Sequence, residues 1–468
     1  MRRPSTDTKG SVRDQEYAPS MSSAVPGIVW PAIPDTRNAA AFALLAQFEM
    51  SQWWSAEALQ RHQLHQATAL INYAAQNVPF YRGRLSDVAG RDCAVTMEEW
   101  RRIPLLTRAE IQEAGETLSS ARPLKAHGDY YVEQTSGSTG EPVSVRQNSV
   151  TGRLHTAFTL RDHIWHRRRF GGKLAVVRRL SDKVLKSMEA GNIARWAPGF
   201  PSGPMVFFEV TDSVGDALDW IVDEAPDYLI TYPTYYRALL AESERIGVRP
   251  EKVSQVLTFG EVVPDDLRVR SEDIWGARLV DMYSAQEIGV IALECPDHDH
   301  YLVQSEGVLL EVLDEDGNPC APGEVGRVVV TPLHNFATPM IRYFIGDYAE
   351  AGEPCASGRG LPVIRRFFGR SRNMLTLPSG GKIWVAVNDC GLNQIDAVRQ
   401  FQIVQQMDLS IILKLVIDRP LTAEESVIAQ RAMVSATGHE FDVHVEFVDA
   451  IPRQPGGKLE DVLSELDG

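Results

Sequence analysis

Helical spacing of apolar residues dominates the first part of the chain. Apolar side chains recur every three or four positions across residues 38–76, and again across residues 101–119 after a turn marked by Pro104. This period predicts amphipathic helices in both segments. Residues 1–36 are rich in Ser, Pro, Thr and Arg and have no such period, which predicts a disordered tail.

Farther along the chain, short apolar runs alternate with helical segments. The runs are KLAVVRRL, MVFFEV, YLITYP, SQVLTFGE and ARLVDMYSA, and the helical segments between them include VGDALDWIVDEAP and TYYRALLAESERIG. Short apolar runs separated by helices are typical of parallel strands that helices cover on both faces. The sequence therefore predicts an α/β fold whose large domain contains mostly parallel sheets.

The pattern changes twice in the second half of the chain. Residues 307–349 contain GVLLEVLDEDGNP and GRVVVTPL, which predict a small antiparallel region appended to the large domain. After residue 369, strand-like runs surround a helix that Thr422 opens, and this predicts a compact α+β module. We therefore expect a disordered tail (residues 1–36), a large domain (residues 37–369) and a small C-terminal domain (residues 370–468).

Composition restricts the class of function. The chain has 468 residues, 44% of them hydrophobic and 23% charged, which is ordinary for a soluble globular protein and too long for one core. Its net charge of −15 argues against a nucleic-acid partner. The longest apolar run, AAAFALLAQF, is too short to cross a bilayer, and no signal peptide is visible. Five scattered cysteines indicate a reducing compartment, so we expect a cytoplasmic enzyme without a membrane partner.

One stretch, YVEQTSGSTGEPVSVRQ, contains more hydroxyl and glycine residues than a turn needs. Between its two strand-like runs stand Thr135, Ser136, Gly137, Ser138, Thr139 and Gly140. Glycines let backbone N–H groups approach a ligand and hydroxyls add donors, so the loop fits a cradle for anionic oxygens. A flexible surface turn is the alternative. The loop is not a Walker sequence, because Glu141 follows the last glycine.

Four further motifs follow this loop in order. They are DMYSAQEIG with Tyr283 and Glu287, IRYFIGD with Asp347, FFGRSRNM with Arg370, and PRQPGGKLEDV with Lys458. Singly, each could be a core aromatic or a solvated charge. Together and in this order they resemble the adenylate-forming superfamily of acyl- and aryl-CoA ligases. The segments NVPFYRGRL, IPLLT and TFGE are similar to its phenylacetate–CoA ligase branch.

The resemblance implies a reaction in two steps. A carboxylic acid would react with ATP to give an acyl-adenylate and pyrophosphate, and the thiol of coenzyme A would then displace AMP. Residues 135–140, with Thr139 as a catalytic member, would wrap the β- and γ-phosphates, and Glu287 would bind Mg²⁺. Lys458 would reach in from a mobile small domain and bridge the carboxylate and the α-phosphate.

The resemblance also implies contacts to the nucleoside. Tyr283 would stack on adenine, and Gly260 and Glu261 would lie along the base. Asp347 would accept hydrogen bonds from the ribose hydroxyls, and Arg370 would reach the ribose or a phosphate from the domain boundary. Aromatic residues in MVFFEV, TYPTYY and FGEVV favour an aryl or hydrophobic acid, although aromatics also fill cores.

The acceptor stays open at this point. Arg372 and Asn373 stand where the family commonly has two acidic residues, at the hinge on which the second step depends. An amine or the pantetheine of a carrier protein is therefore an alternative acceptor. A catalytically inactive nucleotide-binding regulatory protein is an alternative of another class. Relatives are often homodimers, so the resemblance also allows a dimer.

Two further sequence features stand apart from these motifs. Some relatives hold a structural zinc, and Cys295, His298 or His300, and Cys355 are candidate ligands here; free cysteines are the alternative, because Ser357 replaces the second Cys of a C-x-C pair. The basic run RDHIWHRRRFGGK could meet the phosphates of coenzyme A, but a solvated helix end is the expected structure.

Overall fold

The structure is a computed structural model of the chain. It describes residues 24–28, 33–134, 143–189, 194–210, 213–264, 266–370, 373–385, 390–392, 395, 397–453, 459 and 461–467. The predicted phosphate loop (residues 135–140), Arg372 and Lys458 lie outside these residues. No helix in the described part of the chain combines the length and apolar character needed to cross a membrane.

The predicted N-terminal helical segment is two helices. They are α1 (Ala39–Ser51) and α2 (Ala56–Asn77). The hydroxyl of Ser55 accepts a hydrogen bond from the Ala58 amide and so begins α2. Preceding α1, the described end of the predicted tail is attached to the large domain, since the Asp35 amide donates to the Gly199 carbonyl. This contact lies at the boundary of the predicted tail, and the disordered tail over residues 1–36 stays a prediction.

Two short helices follow, and both begin with a capping box. Thr96 and Glu99 cap α3 (Met97–Arg101), and Thr107 and Glu110 cap α4 (Arg108–Ala114). A two-stranded antiparallel hairpin then forms from β1 (Tyr130–Gln134) and β2 (Ser144–Asn148). The prediction that strands flank the Ser/Gly loop is thus confirmed.

Twelve strands in the described part of the chain form one mixed sheet. They are β3 (Leu174–Arg178), β4 (Ala194–Arg195), β5 (Pro204–Glu209), β6 (Tyr228–Thr231), β7 (Gln255–Phe259), β8 (Arg278–Ala285), β9 (Gly289–Glu294), β10 (Tyr301–Val303), β11 (Val308–Leu313), β12 (Val325–Pro332), β13 (Tyr343–Ala351) and β14 (Val363–Arg370). Their order is β11-β12-β13-β14-β10-β9-β8-β7-β6-β3-β5-β4. The helices that accompany them are α5 (Ser149–Trp165), α6 (Asp182–Glu189), α7 (Val214–Glu224), α8 (Pro233–Ile246) and α9 (Leu267–Trp275).

The parallel part of the sheet is β5-β3-β6-β7-β8. Ala175, Val177 and Leu229 face a core shared with α7, α8 and α9, whereas Leu174 and Val176 face a core shared with α1 and α5. This alternation follows from the two-residue period of a strand. The α/β class with helices on both faces is confirmed. The antiparallel share is larger than the sequence predicts, because antiparallel strands continue the same sheet from β8 to β11.

The C-terminal module contains the predicted strands and helix around a core of its own. Its elements are β15 (Met374–Thr376), β16 (Lys382–Trp384), β17 (Val398–Gln405), β18 (Ile411–Ile417), α10 (Ala423–Thr437), β19 (Val443–Phe447) and β20 (Val462–Ser464). Four of the strands form a sheet in the order β19-β18-β17-β20. Thr422 opens α10 through a capping box, as predicted. Leu413 and Met433 belong to a buried cluster that draws only on this module.

Much of the basic run at the end of α5 is buried, although Arg167 and Arg169 are exposed, so the prediction of a solvated helix end is wrong for the buried part. The side chain of Arg161 has no exposed surface and donates to Glu306 at 2.8 Å. Arg168 is also buried and pairs with Asp162. Charge repulsion within the run is offset because each of these arginines meets a carboxylate.

A buried arginine fixes the beginning of β13. Arg342 has a left-handed φ of 53°, and its guanidinium donates to both carboxylate oxygens of Glu311 at 3.0 and 3.1 Å. The same guanidinium donates to the carbonyls of Arg101 and Ile103, at the end of α3. Since a non-glycine residue adopts this conformation at a cost, the four hydrogen bonds must hold it. They also fix the strand that carries Asp347.

Replacing Arg342 by Met should lower the free energy of unfolding by about 3–5 kcal/mol, because Glu311 would remain as a buried, unpaired carboxylate. Urea-induced unfolding of the purified chain would measure this change. Arg366→Met provides the control, since Arg366 pairs with Glu350 but its side chain is 56% exposed, and we expect a loss below about 1 kcal/mol. Equal losses in the two variants would contradict the role assigned to Arg342.

Candidate active site

The carboxyl ends of the parallel strands bring two of the predicted motifs side by side. Phe259 at the end of β7 is paired in register with Met282 of β8, so Gly260 lies next to Tyr283. Gly260 has a φ of 79°, which a residue with a side chain rarely adopts, and the chain leaves the sheet there. Ligands of open α/β sheets bind at this edge.

Three predicted nucleoside-binding residues converge at this edge. The hydroxyl of Tyr283 donates to Asp347 Oδ2 at 2.5 Å, and Arg370 Nε lies 3.9 Å from Asp347 Oδ1. Asp347 and Arg370 are partners in the β13–β14 ladder. Burial raises the pKa of Tyr283 well above its ordinary value, and Asp347 adds to the rise. The Tyr283 hydroxyl therefore remains a proton donor across the physiological range.

This convergence requires a strongly curved sheet. Tyr283 of β8 stacks on Phe367 of β14 with a ring-centroid distance of 3.8 Å and an interplanar angle of 18°. Strands β9 and β10 lie between β8 and β14, and a flat sheet would separate the two strands by about 14 Å. β10 has only three residues, so it pairs with the first part of β14 and leaves the end of β14 unpaired on that side.

Glu287, the predicted magnesium ligand, lies in the turn between β8 and β9 and is buried. The Tyr343 hydroxyl lies 3.5 Å from Glu287 Oε1. Burial raises the pKa of Tyr343, Glu287 adds to the rise, and the nearby Arg108 opposes it. No role was predicted for Tyr343 or Arg108 from the sequence. Both residues lie in or beside segments that carry the family resemblance: Tyr343 lies within IRYFIGD, and Arg108 directly follows IPLLT.

Glu261 links the edge of the sheet to the C-terminal module. Its Oε2 accepts a hydrogen bond from the Thr234 amide at 3.0 Å, and its Oε1 accepts one from the Leu459 amide at 2.9 Å. The N-cap residue of α8, Tyr232, provides no side-chain cap, so Glu261 supplies an acceptor to the first turn of that helix. Burial raises the pKa of Glu261, whereas both amide hydrogen bonds oppose the rise.

The strand after the predicted phosphate loop is attached to the turn that carries Glu287. Gln147 of β2 donates its side-chain amide to the Gln286 carbonyl at 2.9 Å. Thr135, Ser136, Gly137, Ser138, Thr139, Gly140 and Lys458 themselves lie outside the described residues. Gln134 and Ser144, the ends of β1 and β2, are paired, so the two strands that flank the predicted loop meet in the large domain.

The three predicted zinc ligands lie together, away from the sheet edge. The Sγ atoms of Cys295 and Cys355 are 3.8 Å apart, and one ligand atom of each of Cys295, His300 and Cys355 lies within 4.8 Å of the others. Tetrahedral zinc with Zn–S bonds of about 2.3 Å places two sulfurs about 3.8 Å apart, so the set fits zinc. Ser357 Oγ lies 3.0 Å from the Cys355 sulfur. An open cleft of about 590 Å³ beside His298 and His300 shares no residue with the Tyr283 site.

Comparisons with known proteins place the chain in a family. The sequence model of the AMP-binding enzyme family matches residues 55–336, and that of the CapK C-terminal domain matches residues 375–465. The chain is 26% identical over 337 residues to phenylacetate-coenzyme A ligase of Pseudomonas putida, which covers 69% of this chain and 73% of that protein. It is 26% identical over 339 residues to the Escherichia coli (strain K12) protein of the same name, covering 69% and 74%.

Solved structures share the fold. A structure of 2-hydroxyisobutyryl-CoA ligase in the postadenylation state matches with a TM-score of 0.67 and 18% identity, covering 86% of this chain and 89% of that one. The same enzyme in the thioesterification state matches with a TM-score of 0.55 and 19% identity, covering 86% and 89%. These comparisons confirm the superfamily and branch predicted from the motifs. The family match covers more than half of the residues, and the chain belongs to the AMP-binding enzyme family.

Proposed function

We propose that the chain activates a carboxylic acid with ATP and transfers the acyl group to coenzyme A. The observation that carries the proposal is the convergence of Tyr283, Asp347 and Arg370 next to Glu287, in a chain of the AMP-binding enzyme family. The named relatives are coenzyme A ligases, which supports the thiol as acceptor.

The nucleoside would bind across the edge of β7 and β8. Phe367 covers one face of the Tyr283 ring, so adenine would stack on the other face, with Gly260 and Glu261 bordering the base. The Tyr283 hydroxyl donates to one oxygen of Asp347 and so orients the carboxylate. Asp347 would then accept hydrogen bonds from the ribose hydroxyls. Arg370 would contact the ribose or a phosphate.

The first step would join the acid to the α-phosphate. A carboxylate oxygen attacks the α-phosphorus, the bond to the bridging oxygen of the β-phosphate breaks, and pyrophosphate leaves. The loop residues Thr135, Ser136, Gly137, Ser138, Thr139 and Gly140 would donate hydrogen bonds to the departing phosphates. Glu287 would hold Mg²⁺, which offsets phosphate charge when bound. Lys458 would bridge the two reacting groups, and the contact of its neighbour Leu459 with Glu261 supports this placement.

In the second step the sulfur of coenzyme A would attack the acyl carbon, the thiol proton would pass to solvent, and AMP would leave with the electrons of the broken acyl–oxygen bond. An amine or a carrier-protein thiol could replace coenzyme A in the same step.

Tyr232 and Phe259 at the ends of β6 and β7, with ring centroids 5.0 Å apart, favour an aryl or hydrophobic acid. A catalytically inactive regulatory protein would need none of these reacting groups. A cytoplasmic location and a homodimer remain proposals from composition and resemblance.

The proposal is tested by exchange of labelled pyrophosphate into ATP in the presence of a panel of aryl and aliphatic acids. We expect exchange only with an acid that fits, and AMP release that rises when coenzyme A is added. Lys458→Ala should abolish exchange while it still consumes a supplied acyl-adenylate with coenzyme A, because the lysine serves only the first step. Exchange that does not depend on any acid would remove the ligase function.

Asp347→Ala should weaken ATP binding by about tenfold to a hundredfold, because a charge-assisted hydrogen bond contributes about 1.5–3 kcal/mol. Titration calorimetry or the KM for ATP in the exchange assay would report the change. Asp316→Ala, at an exposed turn of the β11–β12 hairpin, is the matched control. Unchanged ATP affinity in the Asp347 variant would refute the ribose contact.

The proposal extends to zinc at Cys295, His300 and Cys355. Zinc there would tie the β9–β10 turn to the β13–β14 connection, and a water molecule could complete the tetrahedron. The purified chain should contain about one zinc per molecule by elemental analysis. Cys355→Ser should lose the metal, whereas Cys93→Ser should keep it because Cys93 is exposed and does not belong to this cluster. A metal-free protein from zinc-supplemented medium would show that these are free thiols.

A further inference from the structure

An ion pair joins α8 of the large domain to the C-terminal module. Arg237 Nη2 lies 2.9 Å from Asp461 Oδ2, and both side chains are 14% exposed. The Arg237 guanidinium also lies over the ring of Phe401 in β17, 5.5 Å from its centroid. The same arginine thus contacts two separate parts of the small domain.

Asp461 belongs to the small domain through its backbone. Its carbonyl accepts a hydrogen bond from the Ile403 amide at 2.8 Å, directly before β20 joins β17. Two further contacts run parallel to the ion pair: Leu459 donates its amide to Glu261, and the Arg453 guanidinium lies 5.1 Å from the Tyr235 ring centroid. The first half of α8 and the residue that caps it therefore form the surface on which the C-terminal segment rests.

The ion pair between Arg237 and Asp461 spans two domains and is incompletely hydrogen-bonded. It makes one hydrogen bond, and Arg237 Nη1 and Asp461 Oδ1 are buried without a hydrogen-bond partner among the described residues. A buried pair whose remaining polar atoms are unsatisfied recovers only part of its desolvation cost. Arg342 and Glu311 illustrate the contrast, because they meet through two hydrogen bonds and stay within one domain.

We propose that Arg237 is a positioning residue for adenylation: it holds Asp461, and thereby the preceding residues, against the nucleotide-binding edge and releases them for acyl transfer. This inference rests on the proposed function. Lys458 precedes Asp461 by three residues, which span about 11 Å at most. Fixing Asp461 therefore limits the volume that the Lys458 ammonium must search. Arg237 itself contacts neither nucleotide nor acid in this proposal.

The similarity between whole chains agrees with this assignment. The overall arrangement is closer to 2-hydroxyisobutyryl-CoA ligase in its postadenylation state than to the same enzyme in its thioesterification state, with TM-scores of 0.67 and 0.55. The Arg237–Asp461 pair is present in the arrangement described here. We expect it to be absent in the arrangement used for acyl transfer.

The experiment compares the two half-reactions in Arg237→Gln, Asp461→Asn and the double variant. Each single variant should slow acid-dependent pyrophosphate exchange by about 10- to 100-fold, since misplacement of a reacting group by about 1 Å can cost that much. Thioester formation from supplied acyl-adenylate should stay within about twofold of the parent chain. The double variant should be no slower than the slower single variant, because both remove the same contact.

Arg270→Gln is the matched control, since Arg270 pairs with Glu244 at 2.6 Å within the large domain. It should leave both half-reactions unchanged. Equal loss of both half-reactions in Arg237→Gln, or additive losses in the double variant, would overturn the positioning role. Thermal unfolding of every variant separates these outcomes from a general loss of structure, and Asp461→Asn still tests the contact if Arg237→Gln does not fold.

Hydrogen–deuterium exchange gives a readout that is independent of activity. A peptide that begins several residues before Leu459, such as residues 453–466, should exchange faster in Arg237→Gln than in the parent or in Arg270→Gln, because the Leu459 amide would lose its partner more often. Unchanged exchange in that peptide would overturn the inference even if the ligase reaction is confirmed. A parent chain with no acid-dependent pyrophosphate exchange would instead refute the proposed function, and the peptide result would still decide whether Arg237 docks the segment.

Discussion

The hydrogen bond between Tyr283 and Asp347 depends on how far the large sheet bends. Tyr283 is on β8 and Asp347 is on β13, with β9, β10 and β14 between them in the sheet. A sheet with ordinary strand spacing would keep these side chains apart. The short β10 lets the end of β14 turn back towards β8, so that Phe367 meets Tyr283 and Asp347 comes within reach of its hydroxyl. Without this curvature the motifs would share a sheet but not a site.

Buried charges maintain this geometry, and the way each is paired differs with its task. Arg342 meets Glu311 through two hydrogen bonds and the end of α3 through two more, which suits a residue that must keep one position. Arg161 is likewise paired with Glu306 through two hydrogen bonds. Arg237 and Asp461 share one hydrogen bond across two domains. The pairs of Arg342 and Arg161 thus make more hydrogen bonds than the pair at the border with the C-terminal module.

The sequence predicts elements whose hydrophobic period is regular, and it fails where distant segments meet. VGDALDWIVDEAP and TYYRALLAESERIG have the spacing of helices and form α7 and α8. The basic run ending α5 has the same local pattern as a solvated helix end, because the carboxylates that neutralise it include Glu306, far away in the chain. Cys295 and Cys355 are 60 residues apart, and their proximity was predicted from the resemblance and not from the local pattern. Ordered motifs predicted a nucleotide site, and three of its residues lie together, but neither Tyr343 nor Arg108 could be assigned a role without the fold.

Glu261 divides its two oxygens between the start of a helix and a residue of the terminal module. Withdrawal of that module would leave Oε1 without its amide, and a carboxylate at the sheet edge would then need water or a proton. In the proposed domain movement, each withdrawal of the small domain would therefore require hydration or protonation of this one oxygen. Hydration of this single atom would in this way contribute to the free-energy change of moving a whole domain.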